Sequence, residues 1–296
     1  MSALSWRSAA PDLEAKIATL IKLVLHILVC QHRRVNSARR TVWISGASSG
    51  IGKAVAQACQ QRGDRLILSA RRREVLDTVR QEIGALDALV VPFDLAAPED
   101  LPVLVKQTWK AVSRVDVVVH CGGISQRSLI IDTDASVDRT MMEVNYFGTL
   151  AFTRALLPHM IAAGGGHFAV VTSVMGLFSA PLRSGYAGAK HAMHGWFEAL
   201  RAEHHDDGIR LTMVSPGYVR TAISLNALTG DGTPQGTMDN ATDKGISPER
   251  CAQIMLRGID RNRAQVTPGK KEVLGCWLAR FAPNLLRRIA RRAAVT

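Results

Sequence analysis

A doubly wound α/β domain, a parallel sheet with helices on both faces, is the fold class this sequence predicts, and three observations predict it. Six short aliphatic runs recur along the chain: TVWIS from residue 41, RLILS from 65, ALVVPF from 88, VDVVVH from 115, HFAVVTS from 167 and IRLTMV from 209. They are continuously apolar rather than alternating, as strands must be when helices cover both sides of their sheet. The intervals between them are long enough to hold the crossover helices that parallel strands require. The third observation is the glycine-rich SGASSGIGKA from Ser45, placed directly after the first run, where a first strand should turn into a first helix.

The totals agree with a single domain. A chain of 296 residues, 47% of them apolar, can bury one substantial core without dividing in two. Its 37 Lys and Arg against 25 Asp and Glu leave a formal charge of +12. That excess suits an acidic partner, whether nucleic acid, an anionic membrane, an acidic carrier or a phosphorylated cofactor. Nucleic acid is the weakest of these, because no recognition motif with interleaved aromatics accompanies the charge. The five cysteines, Cys30, Cys59, Cys121, Cys251 and Cys276, are scattered and contain no C-x-x-C pair, which predicts reduced thiols and a cytoplasmic location. His191, His194 and Glu198 share a helical spacing, but a packed or solvated helix face explains them better than a metal does.

Three segments follow from the order of elements: an N-terminal amphipathic helix and basic linker over residues 1–40, the α/β domain over 41–268, and a basic amphipathic C-terminal helix over 269–296. The apolar run of residues 17–30 is interrupted by Lys22 and His26 and is too short to cross a bilayer unaided. Its apolar face is suited either to a lipid surface or to the protein's own domain. At the other end Leu285, Leu286 and Ile289 alternate with Arg287, Arg288, Arg291 and Arg292, the pattern of a helix that docks on anionic lipid or covers the domain with solvated arginines. Peripheral attachment at the cytoplasmic face of a membrane is the corresponding expectation. Residues 223–247 are rich in Gly, Thr, Asp and Asn and read as a mobile loop whose Ile223, Leu225 and Leu228 either cap an apolar ligand or anchor the loop.

Gly46, Gly50 and Gly52 let the backbone approach a pyrophosphate, and the free amides of the helix that follows offset its charge. A phosphate-binding loop of the nucleotide-hydrolysing type is excluded, since Lys53 is followed by Ala54 rather than Ser or Thr. In SGYAGAK, Tyr186 and Lys190 stand four apart and therefore on one helix face, a geometry that permits a proton donor with a cation beside it.

Gly46-x-x-x-Gly50-x-Gly52, Asn145 in EVNYFG, Ser173 at the end of the fifth run, Tyr186-x-x-x-Lys190 and SPGYVRT at residues 215–221 resemble, in that order, the motifs of the short-chain dehydrogenase/reductase family. The resemblance spans residues 41 to about 221 and implies a Rossmann-like fold. It also implies NADP(H)- or NAD(H)-dependent hydride transfer between a carbonyl and an alcohol, in an assembly of identical subunits. It assigns Tyr186 to proton transfer, Ser173 to holding the substrate oxygen, Lys190 to lowering the tyrosine pKa and gripping the nicotinamide ribose, and Asn145 to keeping a water beside that lysine. Cofactor contacts fall to Gly46, Ser48, Ser49, Gly50, Ile51, Gly52, Asp94, Leu95, His120, Cys121, Gly122, Tyr186, Lys190, Pro216, Gly217, Val219 and Thr221. Asp94 either contacts adenine or caps the next helix. Two departures stand out. Ser45 replaces the family's usual Thr, and HCGG at residues 120–123 replaces Asn-Asn-Ala-Gly, which removes two supporting amides.

After the second run, Ala70 occupies the place of the acid that binds ribose hydroxyls in NAD-selective members, and Arg71 and Arg72 follow it. A carboxylate would repel an adenosine 2′-phosphate, whereas guanidiniums grip it, so NADP(H) is the expected cofactor. VMGLFSAPL after Ser173 is mostly apolar, which predicts a small hydrophobic carbonyl or alcohol as substrate, such as a sterol, retinoid or fatty aldehyde. Reduction of 3-oxoacyl groups on a carrier protein, and NADP(H) binding without turnover, are the alternative readings.

Overall fold

The computed structural model describes residues 39–291, so the apolar run of residues 17–30 and Arg292 lie outside the described residues. Seven parallel strands, β1 (Thr41–Ser45), β2 (Arg65–Ser69), β3 (Leu89–Val90), β4 (Val117–His120), β5 (Gly166–Val171), β6 (Ile209–Val214) and β7 (Gln265–Val266), form one sheet in the order β3-β2-β1-β4-β5-β6-β7. The connections are made by α1 (Gly50–Gln61), α2 (Arg73–Glu82), α3 (Leu101–Val112), α4 (Ala135–Met142), α5 (Gly148–Ala162), α6 (Ser184–Glu203), α7 (Asn240–Asp243) and α8 (Pro248–Asp260). Two further helices, α9 (Leu274–Phe281) and α10 (Pro283–Ala290), follow the last strand.

The continuous apolar runs are explained by two cores, one on each side of the sheet. Val42, Ile44, Leu66, Leu68, Val117 and Val119 point to one side and pack with Val55 of α1 and Met255 and Leu256 of α8. Trp43, Ile67, Val118, Phe168 and Val170 point to the other and pack with Phe152 of α5 and Met193 and Phe197 of α6. Successive residues of one strand thus serve opposite cores, which is why no polar position interrupts them.

The structure departs from the sequence reading at three elements. The sheet has a seventh strand, because β7 is only two residues long, half-exposed at the sheet edge, and therefore carries no run of apolar residues. Of the ALVVPF run only Leu89 and Val90 form the strand proper, while Val91 N and Phe93 N, on either side of Pro92, still donate to Leu68 O and Ala70 O at 3.0 and 3.1 Å. The expected single C-terminal helix is two helices, broken between Phe281 and Pro283. Ala282 there leaves the helical region with φ −141° and ψ 57°, as the residue before a proline tends to.

Between α4 and α5 the helix widens into one π-helical turn, Glu143–Phe147, at the end of the sheet where the strands point their carboxyl termini. Such turns insert a residue and release main-chain groups, and they recur at functional sites. The order of strands reverses direction between β1 and β4, which are neighbours in register with Ser45 opposite His120. Doubly wound sheets open a crevice at that point.

Candidate active site

The crevice is shaped by glycines. Gly46 and Gly50 have φ of +71° and +53°, where a side chain is strained. A Cβ on Gly46 would come within 2.5 Å of the Gly122 nitrogen, so the loop after β1 and the loop after β4 touch backbone to backbone. A Cβ on Gly52 would overlap the Gly46 carbonyl oxygen, and one on Gly50 would meet Thr221 Cγ2 at 3.0 Å. Helix α1 begins at Gly50, and the Ser49 side chain makes no capping hydrogen bond to it. The first amides of α1 are therefore left for an anion, as a dinucleotide pyrophosphate requires.

Further along, Leu95 packs beneath Gly122 and Gly148, neither of which has room for a Cβ beside it. The Asp94 carboxylate accepts from Ala96 N at 3.0 Å and closes a local turn. It does not cap α3, whose N-terminal flanking residue is Asp100. Arg71 and Arg72 are exposed at the carboxyl end of β2, beside the partly buried Ala70. Glycines, uncapped amides and an arginine pair thus follow one another along the crevice, an arrangement that fits a phosphorylated dinucleotide.

The HCGG segment resolves differently from the sequence expectation. His120 turns its side chain into the core, stacked on Phe168 with centroids 5.9 Å apart and hydrogen-bonded through Nε2 to Thr153 Oγ1 at 3.0 Å. Burial lowers its pKa to about 3, so the ring is neutral. Its side chain therefore faces away from the crevice, and the missing amide is replaced by core packing. Cys121, Gly122 and Gly123 line the crevice instead. Among the described residues Cys59, Cys121, Cys251 and Cys276 are all free thiols.

Beyond the glycine loop lies a cavity of about 430 Å³ whose walls include Ser173, Tyr186 and Lys190 together with Asn145, Cys121 and Gly217. Ser173 ends the β5 segment and accepts a hydrogen bond from Met175 N at 3.1 Å, which fixes its rotamer. Its hydroxyl lines the same cavity as Tyr186. Lys190, one turn further along α6, places Nζ 5.8 Å from the Tyr186 ring centre and donates to Val171 O at 3.1 Å. Both ends of the Asn145 amide are engaged: Nδ2 donates to Ile124 O at 3.1 Å and Met141 O at 3.0 Å, while Oδ1 accepts from Ile124 N at 3.1 Å. Asn145 therefore braces the loop after β4 through its side chain.

The electrostatics of the pair are dominated by burial. Burial is the largest influence on Tyr186 and holds its pKa above the ordinary value, although the Ser173 hydrogen bond and the Arg183 and Arg127 charges pull the other way. The protein's own groups thus keep the phenol protonated, in the form that donates a proton. Burial likewise lowers Lys190 from 10.5 to about 8. The penalty for burying its ammonium is complete below that pH, where folded and unfolded chains are both charged, and is relieved as pH rises from about 8 toward 10.5. Over that interval it amounts to roughly 3 kcal/mol. Lys190→Met should therefore stabilise the folded chain at pH 7 by about 2 kcal/mol, after about 1 kcal/mol is subtracted for the lost hydrogen bond to Val171 O. Urea unfolding should show this gain shrinking above pH 8. A variant less stable than the parent at pH 7 would refute the buried, costly ammonium.

Several groups that shape the site carry no motif. Gln126, completely buried, accepts from Gly185 N at 2.8 Å and Tyr186 N at 3.3 Å, and so seats the first turn of α6. Glu272 Oε1 accepts from Tyr218 N and Lys270 N, each at 3.0 Å, which ties the SPGYVRT segment to the chain leading into α9. Asp239 gathers Arg127, through Nε at 2.8 Å and Nη2 at 2.5 Å, and Arg183, through Nη2 at 3.5 Å. Both arginines line the cavity. This cluster, with backbone bonds between Leu228 and residues 125 and 127, fastens the loop that reads as mobile in sequence. Of its apolar residues Ile223 lines the cavity, while Leu228 packs beside Met141 and Tyr186.

The helix face bearing His191 and His194 serves the fold. His191 Nδ1 is 2.8 Å from Ala187 O, and His194 Nε2 lies 3.1 Å from Thr172 Oγ1. No group of three or more His, Cys, Asp or Glu residues among the described residues is arranged to hold a metal ion.

A family model described as short chain dehydrogenase matches residues 40–230. The chain belongs to the short-chain dehydrogenase/reductase family. It is similar to a Drosophila melanogaster protein named dehydrogenase/reductase SDR family protein 7-like, 39% identical over 263 residues that cover 86% of this chain and 81% of the relative. Two solved structures share the fold. One is a short chain dehydrogenase/reductase from Burkholderia phymatum in complex with NAD, with TM-score 0.72, 19% identity and coverage of 87% of this chain and 98% of that one. The other is a short chain dehydrogenase from Burkholderia cenocepacia in complex with NADP, with TM-score 0.70, 22% identity and coverage of 85% and 97%. The chain is accordingly an oxidoreductase of this family, with a fold that accommodates either dinucleotide in its neighbours.

Proposed function

We propose that the protein is an NADP(H)-dependent reductase of hydrophobic carbonyl compounds, acting through Tyr186, Ser173 and Lys190. The observation that carries this reading is the convergence of those three side chains on a cavity whose other walls are largely apolar, including Val174, Met175, Phe178, Val219 and Leu278. The bound dinucleotide would supply or accept the hydride. Ser173 then orients the substrate oxygen by a hydrogen bond, and the protonated Tyr186 delivers a proton to that oxygen as negative charge develops on it. Lys190 holds positive charge beside the phenol and stabilises the phenolate left behind.

Arg71 and Arg72, exposed where an acid would select NAD, support NADP(H) over NAD(H). Arg71→Asp should weaken NADPH binding about 10- to 100-fold, the loss of a charge-assisted contact plus a new repulsion, with little change for NADH. Fluorescence titration with both dinucleotides checks it, and equal losses would remove the phosphate contact. A panel of hydrophobic ketones and aldehydes, with product identification, tests the substrate class.

A further inference from the structure

The last two helices are amphipathic yet neither buries a residue. Leu274, Trp277, Phe281, Leu285 and Ile289 remain 63%, 60%, 63%, 50% and 48% exposed, spaced three or four apart along α9 and α10. Trp277 and Phe281 pair with ring centres 5.1 Å apart, so the exposed stripe begins with an aromatic wedge. The segment after Glu272 contains no acidic residue, and Arg280, Arg287, Arg288 and Arg291 flank the stripe within the described residues. Meanwhile Leu278, Leu286, Ile289 and Ala290 of the same helices line the cavity that holds Tyr186. Leu274 and Ile289 of the stripe also line the cavity, so the helix pair forms its rim, with Trp277, Phe281, Leu285 and the arginines presented outward.

We infer that α9 and α10 dock on an anionic lipid bilayer, with Trp277 and Phe281 inserted at the level of the headgroups. Charge complementarity selects this occupant: a stripe of apolar side chains on helices that carry arginines and no acid matches a surface that is apolar below and negative above. Tryptophan is also favoured at that depth, where its ring meets both environments. Docking places the helices that line the cavity against the membrane, so a lipid-soluble substrate reaches Tyr186 without passing through water. Docking itself stands apart from the redox reading; only the entry route rests on the function proposed above.

Vesicle flotation with the full-length chain tests the inference without any turnover. Phosphatidylcholine vesicles containing phosphatidylglycerol should carry the protein to the top of the gradient, and pure phosphatidylcholine vesicles should carry much less. Arg280→Gln with Arg288→Gln should lower the partition coefficient about 30-fold, since each arginine near such a surface contributes about 1 kcal/mol. Trp277→Ser with Phe281→Ser should lower it at least as far, while the rate on a small water-soluble ketone stays unchanged because neither residue lines the cavity. Unaltered flotation of both variants would overturn the inference and assign lipid binding to residues 17–30. Absence of flotation in the parent, or a larger particle in light scattering that the Trp277 and Phe281 variant converts to a smaller one, would overturn it in favour of a protein-covered face.

Discussion

Tyr186→Phe is expected to lower the rate of carbonyl reduction by at least about 1,000-fold while leaving NADPH binding within a few-fold of the parent. The magnitude follows from the removal of a positioned proton donor, which contributes about 100- to 10,000-fold. Burial makes the upper part of that range appropriate, because bulk water has little access to a phenol only 7% exposed and cannot readily replace its proton. The aromatic ring stays and still packs with Met141 and Met175, so the fold and the dinucleotide crevice are preserved. Turnover and dinucleotide affinity measured on the same preparation separate the two effects. A variant with a tenth or more of the parental rate would transfer the proton step to another group.

The second large effect is structural. Asp239→Ala should destabilise the fold by about 3 to 5 kcal/mol, because it leaves the buried Arg127 and Arg183 without the carboxylate that gathers them. Burial alone would raise the Asp239 pKa, but hydrogen bonds from Arg127 and Gln235 and the charges of both arginines hold it below the ordinary carboxylate value. A carboxylate depressed in this way contributes stability above the ordinary carboxylate range and loses it as the pH falls through the folded-state value. The parent should therefore weaken toward acid pH more steeply than the variant, which has already lost the contribution. Urea unfolding across that range tests both statements. A loss under 1 kcal/mol would show that solvent compensates the arginines.

The effect reaches the reaction because the same cluster forms a wall of the cavity. Leu182, immediately before Arg183, adopts φ of +65°, a left-handed conformation that a leucine avoids by roughly 1 kcal/mol. The turn leads directly into α6, and Arg183 itself lies 5.9 Å over the Tyr218 ring as well as against Asp239. Strain of this kind persists only where surrounding contacts enforce it. Here the contacts are an ion pair across 56 residues and the Gln126 bonds to the first turn of the helix that carries Tyr186.

The difference between what sequence revealed and what it concealed has a physical origin. Gly46 and Gly52 were legible because close backbone approach excludes a side chain, Gly50 because its φ of +53° strains one, and the six aliphatic runs because two cores press on them. Tyr186 and Lys190 share a helix face, so a fixed spacing announces them. Arg127 and Asp239 lie 112 residues apart and have no periodicity to connect them, so their pairing appears only in three dimensions. Gln126 and Glu272 act on main-chain amides, a role open to many polar residues and therefore without a signature. β7 is short and sits at an edge, which removes the apolar run that would have marked it. The break between α9 and α10 did have a signal in Pro283, which the alternation of leucines and arginines obscured. The inward turn of His120 reflects the space between Phe152, Phe168 and Phe197, a property of core shape rather than of local sequence.

Transfer of label from the dinucleotide to the product tests the central claim most directly. The parent enzyme, given NADPH deuterated at the transferable position of the nicotinamide and a hydrophobic ketone, should yield an alcohol with one deuterium on the former carbonyl carbon. Tyr186→Phe should yield almost none of that alcohol. Dinucleotide binding without any labelled alcohol across the ketone panel, or product lacking the deuterium, would contradict hydride transfer at this cavity.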